Sequence, residues 1–198
     1  MADTAAMPAD PTDDHAAALA AVRAQFAQST DGVIEAIARD HGLTPRQVAD
    51  CLPAETGAAI PGRCFQAVMD DLTDWGRLMV LVHTPDLILE CASEVPKGSQ
   101  GHGFFNLGGG QPLSGHIRHN RCAAIRFLSR PFMGSASHAI LFFNDEGGIM
   151  FKVFVGRDDN RQLKPDQVAR FERLRDRLVA EAAQAGDEMA DRTTGAEG

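Results

Sequence analysis

A single change of rhythm near Trp75-Gly76 divides this sequence, and it limits the fold more than any other feature. Before it, apolar residues recur at helical spacing. Leu19, Val22 and Phe26 make one stripe, and Phe65, Val68, Met69 and Leu72 make another. After it the period falls toward two. RLMVLVH (77–83), LILECAS (87–93), HGFFNL (102–107), LSGHI (113–117), CAAIRFL (122–128), AILFFN (139–144) and IMFKVFV (149–155) read as strands. Thr84-Pro85-Asp86, Gly108-Gly109-Gly110 and Asp145-Glu146-Gly147-Gly148 supply the turns. Connections this short favour antiparallel neighbours over crossovers.

The helical part subdivides further. Asp31 is expected to cap a helix through Val33, Ile34 and Ile37 that ends at Gly42. Thr44, Pro45 and Gln47 then sit in the N-cap, N1 and N3 positions of a capping box, and that helix stops by Pro53. A further helix is expected from about Arg63 to Asp74, and a last one from near Pro165 carrying Val168, Phe171, Leu174 and Leu178. The expected fold class is α+β. A helical segment (about 16–74) leads into an antiparallel sheet of about seven to nine strands (about 76–156), and a helix (about 164–184) closes it. Residues 1–15 and 186–198 have almost nothing to bury and are expected to be disordered tails around a single domain, 16–185.

Net charge narrows the partners. Of the formal −8, the first 15 residues carry −4 and residues 186–198 carry −3, which leaves about −1 for the rest. A nearly neutral body has no wide basic face for nucleic acid. The helices of 31–53 have a helix-turn-helix look, but Pro45–Cys51 offers only Arg46 and Asp50 for reading bases, so a DNA-binding regulator is only a second alternative. Cys51, Cys64, Cys91 and Cys122 form no CxxC pair, which points to free thiols in a reducing cytoplasm. The start lacks the basic and apolar regions of a signal peptide, and apolar runs such as Leu78–Val82 are too short to span a bilayer. Membrane insertion is not expected.

Candidate chemistry rests on histidine. The glycine cluster GQGHGFFNLGGG lacks the phosphate-loop pattern, and no G-x-S-x-G elbow occurs. Of seven histidines, five (His83, His102, His116, His119 and His138) lie in the strand region. His83 ends an apolar strand on the side of Met79 and Leu81. His116 follows Gly115, where the missing side chain lets a ligand approach the backbone. Each has an ordinary reading as a hydrogen-bonded structural residue. No zinc-ligand spacing appears among them. An imidazole facing a pocket of Phe, Met and Leu is also the axial-ligand arrangement of a haem site.

WGRLMVLVHTPDLILE (75–90), HGFFNL (102–107), LSGHIRHNRCAAIRFLSRPFMG (113–134) and ILFFNDEGGIMFKVFVGRDDNRQL (140–163), with Gln167 and Phe171 after them, resemble the HutX/ChuX family of intracellular haem-utilisation carriers. The resemblance covers about residues 31–179 in consistent order. It implies a cytoplasmic homodimer with saddle-like sheets, each subunit resembling half of a larger haem-trafficking or haem-degrading protein. Haem would be bound as cargo and passed to a downstream haem-accepting or haem-degrading partner. The family's histidines match His83 and His116, both implicated in haem binding. Some relatives carry Tyr in the segment that here reads HGFFNL, whereas this chain has no Tyr, so the iron falls to His83, His116 or neither. Phe104 and Met133 are expected as pocket walls. Arg118 and Lys152, with Arg121, Arg126, Arg130 and Arg157, are candidate propionate partners, each also readable as an ordinary salt-bridge residue. No catalytic residue is assigned, and haem degradation of the haem oxygenase kind is the first alternative.

Overall fold

The computed structural model describes residues 11–110 and 112–194. The helices are α1 (Pro11–Gln28), α2 (Ile34–Asp40), α3 (Pro45–Asp50), α4 (Phe65–Leu72) and α5 (Pro165–Thr194). The strands are β1 (Gly57–Pro61), β2 (Leu78–His83), β3 (Ile88–Ser93), β4 (Gly98–Gly101), β5 (Phe104–Leu107), β6 (Gly115–Ile117), β7 (Cys122–Phe132), β8 (Ser135–Asn144) and β9 (Ile149–Phe154). The fold is α+β, and every strand pairing is antiparallel.

The strands form two sheets rather than one. Six follow the order β1-β7-β8-β9-β2-β3, and β4-β5-β6 form a small second sheet. Two strands carry no periodic signal. GAAIP and GSQG have too few large apolar side chains to alternate, so only their partners define them. The tail boundaries also differ from the compositional expectation. Helix α1 begins at Pro11, with Pro at a position that needs no N–H and Asp13 and Asp14 near its positive end. Helix α5 continues to Thr194, while residues 1–10 and 195–198 lie outside the described residues.

Alternation along β7, β8 and β9 feeds two cores, one on each face of the large sheet. Ile125, Phe127, Ile140, Phe142, Phe151 and Val153 pack with α4, α5 and the small sheet. Ala124, Leu128, Ala139, Leu141 and Phe143 pack with α1, α2 and α3. Burial on both faces explains why these strands read as long apolar runs. Buried Gln167 ties α5 to the sheet: its Oε1 accepts from Gly156 N at 2.7 Å, and its Nε2 donates to the carbonyls of Trp75 and Arg77. The four thiols are free, and burial pushes Cys122 up to about 12.

Asp31 does not cap α2, whose N-cap is Val33 with no side-chain bond. Its carboxylate instead accepts from the backbone N–H groups of Met133 (2.8 Å) and Gly134 (2.7 Å), and from its neighbour Gly32. Met133 and Gly134 both have positive φ and form the two-residue turn of the β7–β8 hairpin. The N–H of Gly134 is the largest influence holding Asp31 below the usual carboxylate range. A depressed folded value means that this contribution is present above about pH 3.9 and is lost as pH falls through the lower folded value. Asp31→Asn is therefore expected to lose about 1–2 kcal/mol in urea unfolding at neutral pH, with the gap to wild type closing in acid. An equal gap at neutral and acid pH would contradict this role.

Candidate functional site

The small sheet sets the site. Phe105 on β5 is buried and meets Phe65 of α4 edge-on at 5.4 Å, so the inner side of this sheet is anchored to the core. Ile117 lies opposite Phe105 in the β5–β6 register and shares that inner side. Between it and the large sheet is an apolar cleft of about 410 Å³, lined by Val80, Val82, Leu107, Leu113, Met150 and Phe151, with β6 along its border.

His116, next to Ile117, lies on the outer side of β6 by strand alternation and, with Arg118, borders the cleft. It is exposed and lies opposite Asn106, whose Oδ1 is 2.7 Å from His116 Nδ1. The Phe104 ring stands 6.0 Å from the imidazole, and the Arg118 guanidinium lies 5.3 Å from the centre of that ring. An imidazole, an aromatic face and a cation thus share an open surface. Asn106 has no signal of its own in the sequence. Only the pairing of β5 with β6 could have drawn attention to it.

His83 is on the opposite face of the large sheet. Val82 lines the cleft, and the alternation of β2 turns His83 toward α2. There its Nδ1 is 3.5 Å from Glu35 Oε1, and Lys152 Nζ is 2.6 Å from the same oxygen and 2.7 Å from Glu35 Oε2. Lys152 is only 4% exposed, and burial pulls it below the ordinary lysine range against the opposing pull of Glu35. The structure therefore joins Lys152 to His83 through Glu35, and joins Phe104 and Arg118 to His116. It separates the two groups by the thickness of the sheet. Met133 belongs to neither group; at the tip of the β7–β8 hairpin it is 78% exposed.

Five of the six candidate cations already have partners. Arg121 pairs with Asp145 and Glu146, Arg126 with Asp50, and Lys152 with Glu35. Arg130 donates to the carbonyls of Thr30 and Gly32, and Arg157 to those of Ala136 and Arg161. Among the described residues Arg118 has no ion pair and rests on Phe104 alone. The α3 helix is likewise engaged: Arg46 N donates to Gly147 O, and Asp50 binds Arg126 of the sheet. No helix of the described residues is long and apolar enough to cross a membrane.

An α+β protein of two antiparallel sheets, with a histidine on an open sheet face beside an apolar cleft, has the features of a small-molecule site: apolar walls and a few polar groups. The chain belongs to the haem utilisation ChuX/HutX family, whose sequence model matches residues 58–174. It is 34% identical over 140 residues to the intracellular heme transport protein HutX of Vibrio cholerae, covering 70% of this chain and 72% of that one. The solved structure of the heme binding protein ChuX is 41% identical, with a TM-score of 0.73, covering 79% of this chain and 98% of that one. The heme degrading enzyme ChuS of Escherichia coli O157:H7 shares the fold alone, at 15% identity and a TM-score of 0.63. That match takes in 85% of this chain but 49% of ChuS, so the present fold corresponds to half of the larger protein.

Proposed function

We propose that this protein is a cytoplasmic haem carrier that receives haem and passes it to a haem-accepting or haem-degrading partner. The carrying observation is the exposed His116 with its Nδ1 hydrogen-bonded to Asn106, flanked by Phe104 and the unpaired guanidinium of Arg118. An imidazole nitrogen ligates haem iron, the phenyl ring packs on the macrocycle, and the guanidinium meets a propionate. An open surface suits a cargo that must leave again. Family membership and the names of HutX and ChuX support the same reading.

His83 is proposed as a second haem-contacting residue on the other face, with Lys152 held near it by Glu35. One iron within one chain then takes one of these histidines, not both. Phe104 and Arg118 belong to the His116 surface. Met133, on its exposed hairpin, reaches haem only from outside that surface. The carrier is proposed to act as a homodimer. One edge of the large sheet is β3, and Leu87 just before it and Ile88 and Leu89 within it are each more than half exposed.

Hemin titration followed by sedimentation tests the whole reading. The expected result is a saturable, sharpened Soret band at about one haem per chain, carried by a species of twice 21.2 kDa. A featureless, non-saturating rise would overturn the carrier reading, and haem on a 21.2 kDa species would overturn the dimer. Haem degradation is the competing enzyme reading. Adding an electron donor and oxygen separates the two: a carrier keeps its tetrapyrrole intact, whereas catalase-insensitive loss of the Soret band with iron release marks the enzyme.

A further inference from the structure

The neighbours of Asn106 allow its amide only one orientation. One end lies 3.2 Å from the backbone carbonyls of Ser99 and Gly101. Carbonyls only accept, so that end is Nδ2. The other end, 2.7 Å from His116 Nδ1, is therefore Oδ1, which also only accepts. Nδ1 must then carry the proton. A neutral imidazole has one N–H, so Nε2 keeps its lone pair.

We propose that Asn106 is the positioning residue of the haem site, locking His116 as the Nδ1–H tautomer so that Nε2 is the atom offered to iron. The proposal rests on the reading of His116 as the iron ligand and adds the residue that makes it competent. The lock extends back through the small sheet. Ser99 and Gly101 belong to β4, a strand with almost no apolar side chain to justify its place. Its backbone carbonyls fix Asn106, and Asn106 fixes the imidazole. Strand β4 is itself held closely: a Cβ on Gly98 would come within 2.3 Å of the Phe105 ring, and Gln100 donates to Gln66 of α4 at 3.2 Å. Partners of this kind orient metal-ligating histidines and typically change metal affinity 10–100-fold when removed.

The test begins on the haem-free wild-type protein, by two-bond proton–nitrogen correlation of the imidazoles well above the ordinary histidine pKa. His116 is expected to show a protonated Nδ1 and a bare Nε2. Asn106→Leu, which removes the acceptor, is expected to release the ring to the Nε2–H form and to weaken hemin binding about tenfold. An Nε2–H imidazole in the wild-type protein would overturn the lock, whether or not the leucine variant folds. So would an unchanged tautomer in Asn106→Leu. If the tautomer behaves as expected but His116→Ala leaves the hemin spectrum untouched, the fault lies with His116 as ligand, and the haem role of Asn106 falls with it.

Discussion

His116→Ala is expected to bind hemin about a hundredfold more weakly than wild type, with a displaced Soret band and an unchanged far-ultraviolet dichroism spectrum. The size follows from the loss of the iron ligand itself, which should equal or exceed the effect of removing an outer hydrogen-bond partner. The unchanged fold follows from exposure: the imidazole bonds only Asn106 and leaves no buried group unpaired. His83→Ala tests the other face: its ring lies across the large sheet beside Glu35, so a separate change in the hemin spectrum marks a share of the haem bound there. Sites that far apart with no shared partner should combine additively to within about 0.5 kcal/mol in the double variant. Strong coupling would mean that one iron sees both histidines. In this fold that requires the two to come from different subunits. No change in either single variant would make both imidazoles structural and remove the haem site from this surface.

Phe65→Ala is expected to cost about 3–5 kcal/mol in denaturant unfolding, the largest stability effect of any single substitution considered. Phe65 opens α4 and is 2% exposed. Its ring meets Phe105 at 5.4 Å, Phe142 at 5.5 Å and Phe151 at 6.3 Å. Phe142 and Phe151 stack on each other at 4.2 Å within the large sheet, whereas Phe105 belongs to the small one. The ring therefore joins the two sheets, and truncating it leaves a cavity where they meet. Hemin affinity should fall with stability, since the strands bearing Asn106 and His116 lose their anchor. Phe65→Leu, which fills most of the same space, is expected to cost much less. Equal losses in the two variants would point to the aromatic contacts rather than volume.

Much of the architecture is legible along the chain. The two-residue alternation of Phe151, Val153 and Val155, the capping box of Thr44 and Gln47, and the helical stripe of Phe65, Val68, Met69 and Leu72 all predict what forms, whereas a β-bulge opposite Phe142 and Phe143 puts Ile149 on the other face of the sheet from Phe151. Each is a local pattern, settled by residues a few positions apart. Asp31 shows where local reading stops. The residue type suits a helix cap, but its partners are Met133 and Gly134, about a hundred positions away. Strands β1 and β4 are invisible for a related reason: a strand of small residues exists only because a neighbour pairs with it.

The histidines divide along the same line. The sequence by itself determined that His83 and His116 lie in strands, that no tyrosine is present to share the iron, and that the fold is helices followed by antiparallel strands. Only the tertiary structure decided that the nine strands of the described residues make two sheets, and that the two histidines occupy opposite sides of the larger one. It also decided that five of six candidate cations are spent on partners within the fold, while Arg118 stays beside His116. Alternation along a strand separates two faces, but which face meets which ligand depends on what packs against each. That is fixed by contacts between residues far apart in the chain.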